Sequence, residues 1–152
     1  RFYPRLVFPG RIAELMTAAG PELPGKVLVT DSYASSALLA YHARRPVAVF
    51  GRGGPNARQD DIETDWRAYA GKDLLVLRRE PPLPQDYQPY FRDIEVKTFP
   101  LGGGVYHAVL GRGFDYEAYR SRVLSDIRDR YYRIPARLPV GRCYFFERYF
   151  PR

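Results

Sequence analysis

Asp31 and Ser32 follow an apolar, β-branched run at residues 27–30 and precede a stretch with helical spacing. The pattern predicts a buried strand that leads into the N-terminus of a helix. Ligands commonly bind at the carboxyl ends of strands in open α/β sheets, so both side chains are candidates for ligand contact. A helix N-cap accounts for the same two residues on its own. Ser32 is not indicated as a nucleophile, because the Gly-x-Ser-x-Gly elbow is absent.

The loop after residues 47–50 carries side chains suited to phosphate. Residues 51–54 read Gly-Arg-Gly-Gly, and glycines permit close approach of a ligand to the backbone. Arg52 and Arg58 could donate charge-assisted hydrogen bonds to a phosphate. Neither the P-loop pattern nor the dinucleotide-binding pattern is present, and Pro55 follows the glycines at once. The loop therefore lacks a nucleotide-binding motif.

A cluster of carboxylates precedes Trp66, the single tryptophan. It consists of Asp60, Asp61, Glu63 and Asp65. A carboxylate beside a stacking indole would suit a sugar. A solvated, acidic first turn of a helix explains the cluster as well.

Histidine and cysteine give no indication of a metal site or a nucleophile. His42 and His107 are the only histidines, and neither has companions at metal-ligand spacing. Cys143 is the single cysteine, so an internal disulfide is excluded. A lone cysteine is more often a small buried apolar residue than a reactive thiol.

Length and composition predict one folded domain over residues 1–152, with 45% hydrophobic residues. The formal net charge of +7 would draw the chain towards phosphate-bearing lipids or nucleic acid. Arginines alternate with tyrosines in the second half, which suits stacking and phosphate contact. The same residues also fit a solvated helix face, because acidic residues interrupt the positive charge.

No apolar run approaches the roughly 20 residues that span a bilayer. The best candidate, residues 37–50, is interrupted by His42, Arg44 and Arg45. The chain does not start with methionine and shows no signal-peptide pattern, and we expect it to be a soluble piece of a longer protein.

Periodicity predicts strands and helices that alternate along the chain. Helices are expected at residues 11–19, 32–42, 60–69 and 115–132, and strands at residues 26–30, 47–50 and 73–77. Residues 94–98 and 105–110 are expected to form an antiparallel hairpin at the end of the sheet. The order predicts a three-layer α/β domain with a mainly parallel sheet, a C-terminal hairpin and a long terminal helix.

One ordered series of motifs resembles the soluble C-terminal region of bacterial membrane glycosyltransferases of the protein-mannosyltransferase-like family, glycosyltransferase family 39, including the aminoarabinose-transferase-like members. The resemblance covers residues 24–80. Its motifs are Asp31-Ser32-Tyr33, Leu39-Ala40-Tyr41, Arg52, Asn56, an acidic residue before Trp66, and Gly71-Lys72-Asp73. Pro55 and the spacer before Trp66 depart from the family pattern.

The resemblance implies an accessory domain on the extracytoplasmic, periplasmic face of the inner membrane. The parent would move a sugar from a polyprenyl-phosphate donor to a lipid, glycan or protein acceptor. Its catalytic carboxylate would lie in an early extracytoplasmic loop between membrane helices, outside this segment, so no catalytic residue is assigned here. Residues expected to contact donor or acceptor are Asp31, Tyr33, Arg52, Asn56, Arg58 and Trp66.

The resemblance implies the membrane body of the parent chain as partner, with a lipid-linked sugar or acceptor as ligand. No cofactor or metal is expected in this segment, and a divalent-metal requirement of the parent is left open. The alternative is a non-catalytic α/β module that binds a polyanion or nucleic acid, although nucleic acid is the less expected partner. An independent small-molecule enzyme ranks third, because it lacks a motif.

Overall fold

The chain forms an α/β fold with one mixed five-stranded sheet. The computed structural model describes residues 3–53, 59–102, 104–139 and 141–151. The strands are β1 (Val27–Thr30), β2 (Ala48–Val49), β3 (Leu74–Arg78), β4 (Phe91–Leu101) and β5 (Gly104–Phe114). The helices are α1 (Tyr3–Ala19), α2 (Tyr33–Ala43), α3 (Gln59–Glu63), α4 (Tyr116–Tyr119), α5 (Ser125–Tyr131) and α6 (Tyr144–Tyr149).

The strand order in the sheet is β2-β1-β3-β5-β4. β1 pairs in parallel with β2 and β3, whereas β5 runs antiparallel to both β3 and β4. The predicted hairpin is therefore confirmed, but its two strands have 11 residues each and are longer than expected. Because this hairpin supplies two of the five strands, the sheet is mixed, and the mainly parallel description that we predicted is not confirmed.

Alternate residues of the central strands point to opposite faces of the sheet, and both faces are covered. Leu28, Leu75 and Leu77 pack with buried residues of α1 and α2. Val29 and Val76 pack with a second cluster on the other face. The buried residues that α4, the following turn, α5 and α6 contribute to this second cluster are Tyr119, Val123, Leu124, Ile127, Phe145 and Tyr149.

The predicted long helix is present but is not the last element. α4 continues through a π-helical turn, Arg120–Leu124, into α5. After a loop, α6 follows and buries Phe145 and Tyr149 at 2% and 1% exposure. Burial of these two aromatic side chains is the reason that a helix of six residues docks at the end of the chain. Among the described residues, no helix is both long and apolar enough to cross a membrane.

Candidate functional site

The three parallel strands end at one edge of the sheet, and most of the predicted site residues that are described lie there. Thr30 of β1 is in register with Leu77 of β3 and with Val49 of β2. The backbone N–H of Phe50 donates to the carbonyl of Thr30 at 2.7 Å. The hydroxyl of Thr30 donates to the carbonyl of Leu77 at 2.8 Å, which ties the ends of β1 and β3 together.

The connections on either side of β2 cover opposite faces of the sheet. Leu39 of α2, between β1 and β2, packs with the face that carries Leu28. Trp66, between β2 and β3, packs with the face that carries Val29. β1 therefore lies at the point where the chain reverses its direction of winding, between β2 on one side and β3 on the other. Such a switch point is the usual ligand crevice of open α/β sheets.

Asp31 faces a basic partner across this switch point. Its carboxylate Oδ2 lies 3.6 Å from Nε of Arg78, and the two side chains are 35% and 17% exposed. Nη1 of Arg78 donates to the hydroxyl of Tyr87 at 2.7 Å, and Nε donates to the carbonyl of Glu80 at 2.7 Å. Burial raises the pKa of Tyr87, while the hydrogen bond from Arg78 acts in the opposite direction. Asp31 is therefore positioned by its neighbour and remains partly open to solvent.

Ser32, and not Asp31, is the N-cap of α2. Its hydroxyl oxygen accepts from the backbone N–H of Ser35 at 3.3 Å and donates to the Ser35 hydroxyl at 2.8 Å. The predicted cap is thus confirmed for Ser32 alone, and the carboxylate of Asp31 is not used for it. Tyr33 is the first residue of α2 and is 42% exposed, so its ring is accessible at the same end of the helix.

Arg52 lies in the loop after β2, and its side chain extends towards α5. Gly51 has a φ of +85°, and its N–H donates to the hydroxyl of the buried Tyr119 at 2.9 Å. Nε of Arg52 lies 2.8 Å from the carboxylate of Asp126, which also pairs with Arg130. The Arg52 side chain is still 60% exposed, so an anion could reach it. Asn56 and Arg58 lie outside the described residues.

Trp66 is a core residue with 4% exposure. Its ring lies 4.6 Å from that of Tyr119 and 5.6 Å from those of Tyr69 and Phe114, measured between centroids. It also meets Phe50 edge to face at 6.0 Å. The indole therefore packs against Phe50, directly after β2, and has no exposed face on which a sugar or a base could stack.

The carboxylates before Trp66 are held by structural partners. Asp61 is 6% exposed and accepts from the hydroxyl of Tyr132 at 2.8 Å. Asp65 accepts from the backbone N–H of Arg67 and from its guanidinium, at 2.7 to 3.1 Å. The hydrogen bond from the Arg67 side chain lowers the pKa of Asp65. Asp61 and Asp65 therefore have structural roles, and the cluster is more than the solvated first turn of a helix.

An open cleft of about 690 Å³ lies elsewhere, between the end of α5 and α6. Phe146 and Phe150 line it together with Arg128, Arg133 and Arg142. Asp31, Tyr33, Arg52 and Trp66, the four residues predicted to contact donor or acceptor that the structure describes, do not line this cleft. Sequence reasoning therefore did not find it, because its walls come from a loop and a short helix without a recognisable motif.

Metal ligands and known relatives give no further assignment. No group of three or more histidine, cysteine, aspartate or glutamate side chains suited to a metal ion occurs within the described ranges. Comparison with protein-family models, with curated proteins and with solved structures found no match.

Proposed function

We propose that the chain is an accessory domain of a membrane glycosyltransferase that acts on the extracytoplasmic face of the inner membrane. The parent moves a sugar from a polyprenyl-phosphate donor to a lipid, glycan or protein acceptor. The domain carries no catalytic residue in this proposal and assists recognition of donor or acceptor at the ends of β1 and β2. Its partner is the membrane body of the parent chain.

The observation that carries the proposal is the position of the Asp31-Ser32-Tyr33 motif, on which the resemblance depends. The motif lies at the carboxyl end of β1, where the sheet changes its direction of winding. It leaves a partly exposed carboxylate and an exposed tyrosine ring at one edge. A carboxylate and an aromatic face suit a sugar, and the exposed Arg52 on the adjacent strand end suits its phosphate.

The proposed architecture is a three-layer domain in which helices flank both faces of the sheet. The two buried clusters on opposite faces support it. In this arrangement the loops at the strand ends remain at the rim, where a membrane-embedded active site could meet them. We assign no cofactor to the segment and leave open whether the parent requires a divalent metal.

The deciding experiment is a transfer assay with the full-length parent and a polyprenyl-phosphate sugar. We expect Asp31→Asn, Tyr33→Phe and Arg52→Gln to lower turnover by about tenfold or more, because misplaced substrate reacts slowly. Asn56→Ala and Arg58→Gln test the part of the loop outside the described residues in the same assay. The isolated 152-residue chain should show no transfer.

Two controls separate ligand contact from structural support. Asp126→Asn removes the carboxylate that pairs with Arg52 but leaves the guanidinium in place, so transfer should persist. Arg92→Gln changes an exposed side chain on the hairpin and should have no effect. Wild-type turnover after all three strand-end replacements would overturn the proposed site, and turnover by the isolated chain would overturn the accessory role.

The alternative role as a polyanion-binding module is tested on the same chain. Its supporting observation is the net charge of +7. If a fluorescent single-stranded oligonucleotide bound tightly and the parent had no hydrophobic spans, the alternative would replace the transferase proposal. Several spans and an early acidic extracytoplasmic loop in the parent would support the transferase.

A further inference from the structure

One long segment near the C-terminus combines positive charge with exposed apolar side chains. Between Asp129 and Glu147 the sequence contains no acidic residue. It contains the arginines 130, 133, 137 and 142 in the same interval. The described residues 133–139 and 141–143, here called the arginine loop, lie between α5 and α6, and Tyr144 is the first residue of α6.

The described part of the arginine loop is open to solvent. Residues 133–139 are all exposed, and the backbone forms a turn in which the N–H of Leu138 donates to the carbonyl of Pro135 at 2.9 Å. Ile134, Leu138 and Tyr144 are 38%, 52% and 65% exposed. Several large apolar side chains exposed within one short segment are more typical of an interaction surface than scattered single residues are.

Two exposed arginines lie next to these aliphatic residues in the sequence. Among the described residues, neither Arg133 nor Arg137 forms a side-chain hydrogen bond or a close ion pair, although the charge of Arg133 helps to lower the pKa of Asp129. Arg142 differs, because its guanidinium pairs with the carboxylate of Glu147 at 3.0 and 3.2 Å. The tip of the loop therefore presents the charge of Arg137 between Ile134 and Leu138, and Arg133 adds positive charge on the other side of Ile134.

We propose that the arginine loop docks on the surface of an anionic phospholipid bilayer. Arg133 and Arg137 would contact lipid phosphates, while Ile134 and Leu138 enter the boundary between head groups and acyl chains and Tyr144 lies at the head-group level. The chemistry favours lipid over nucleic acid, because two aliphatic side chains gain nothing from a phosphate backbone. A second copy of the chain is disfavoured by like charge.

The docking goes beyond the proposed transfer role and does not depend on it. Any parent protein that keeps this domain at a membrane would use the loop to fix the orientation of the strand ends. The cleft between α5 and α6 begins beside the loop, because Ile134 and Arg142 belong to the loop and also line the cleft. Apolar surface thus continues from the loop into the body of the domain through Phe146.

Vesicle co-sedimentation of the 152-residue chain tests the proposal. Vesicles of phosphatidylcholine are compared with vesicles that contain about 30% phosphatidylglycerol. We expect binding to the anionic vesicles only, and weakening at high salt. The double variant Arg133→Gln/Arg137→Gln should reduce the partition coefficient by about 25-fold. Ile134→Ser/Leu138→Ser should reduce it at unchanged net charge.

A charge-matched control distinguishes the loop from the overall charge of +7. Arg92→Gln/Arg122→Gln removes the same number of charges from exposed positions outside the loop and should retain binding within about twofold. Equal losses in the two double arginine variants would overturn docking through the loop. If the wild-type chain bound an oligonucleotide but did not bind anionic vesicles, the lipid would be overturned as partner.

A fluorescence probe tests insertion directly. Leu138→Trp places a second indole at the tip of the loop, whereas Trp66 is 4% exposed and already sheltered from solvent. Anionic vesicles with brominated acyl chains should quench and blue-shift the emission of the new indole only. Absence of quenching with vesicles that bind the chain would show that the apolar residues do not enter the bilayer.

Discussion

Asp31 at the end of β1 and Arg78 at the end of β3 form an ion pair, with 3.6 Å between Oδ2 and Nε. The two residues face each other because Thr30 and Leu77, immediately before them, are in register. Arg78 in turn holds the hydroxyl of the buried Tyr87. The guanidinium of Arg78 is itself held by Tyr87 and by the carbonyl of Glu80, so it fixes the orientation of the Asp31 carboxylate at the strand end.

A double-mutant cycle on Asp31→Asn and Arg78→Gln should give a coupling free energy of about 0.2–1 kcal/mol, because the pair is partly exposed. Arg78→Gln alone should cost more than Asp31→Asn, since it also removes the donor to Tyr87. Urea unfolding of the four proteins measures both quantities. Arg79→Gln is the control, because Arg79 pairs with its neighbour Glu80. A coupling of zero would mean that the two side chains do not interact.

The central strands could be predicted because burial on both faces leaves a continuous apolar signal. Residues 27–30 and 74–77 are almost entirely apolar, and they form β1 and most of β3. β4 was underestimated because it is an edge strand and alternates charged residues with apolar ones. α1 begins at Tyr3, so the apolar stripe that predicted a helix at residues 11–19 marks only its second half.

Only the site residues that are adjacent in the sequence could be predicted. Asp31, Ser32 and Tyr33 are adjacent, so their place at a strand end follows from local patterning. Arg78 was missed because its role depends on β3 lying beside β1, and strand order is a property of the whole fold. Local sequence also does not distinguish a stacking tryptophan from a core tryptophan, and Trp66 proved to be a core residue.

Leu28→Asp should destabilise the domain far more than Ser32→Ala. Leu28 is 1% exposed in a central strand, so a charge there has no partner and costs several kcal/mol. Ser32→Ala removes the N-cap of α2 and should cost about 1 kcal/mol. Thermal unfolding followed by circular dichroism compares the two. Similar losses would show that Leu28 is not buried and that β1 is not central to the sheet.

Gly111→Ala should destabilise the protein by about 1–3 kcal/mol through overpacking. A Cβ at position 111 would lie 2.5 Å from ring atoms of Phe91, which is 7% exposed and stacks on Phe50 at 5.8 Å. The ring therefore cannot move aside without disturbing the core beneath β2. Gly20→Ala is the matched control, because nothing lies within 4 Å of its Cβ. Equal stability of both variants in urea would show that the Phe91 ring can shift to accommodate the added methyl group.

Tyr149→Phe should destabilise the domain by about 1–3 kcal/mol at neutral pH, because the buried backbone N–H of Trp66 loses its acceptor. The hydroxyl of Tyr149 accepts from the backbone N–H of Trp66 at 3.1 Å and donates to the carbonyl of Thr64 at 2.8 Å. Tyr144→Phe is the control, since Tyr144 is 65% exposed and its loss of a hydroxyl should be neutral. Urea unfolding of the three proteins measures the difference.

The same variant tests the alkaline limit of stability. Burial raises the pKa of Tyr149 to about 12. An unfolded tyrosine titrates near 10, so the folded state favours the neutral phenol. The contribution of this group is complete below about pH 10 and is lost as the pH rises towards about 12. The stability difference between wild type and Tyr149→Phe should therefore narrow across that interval, whereas Tyr144→Phe should follow wild type throughout. A difference that stayed constant up to about pH 12 would show that the Tyr149 hydroxyl is not buried as a neutral donor.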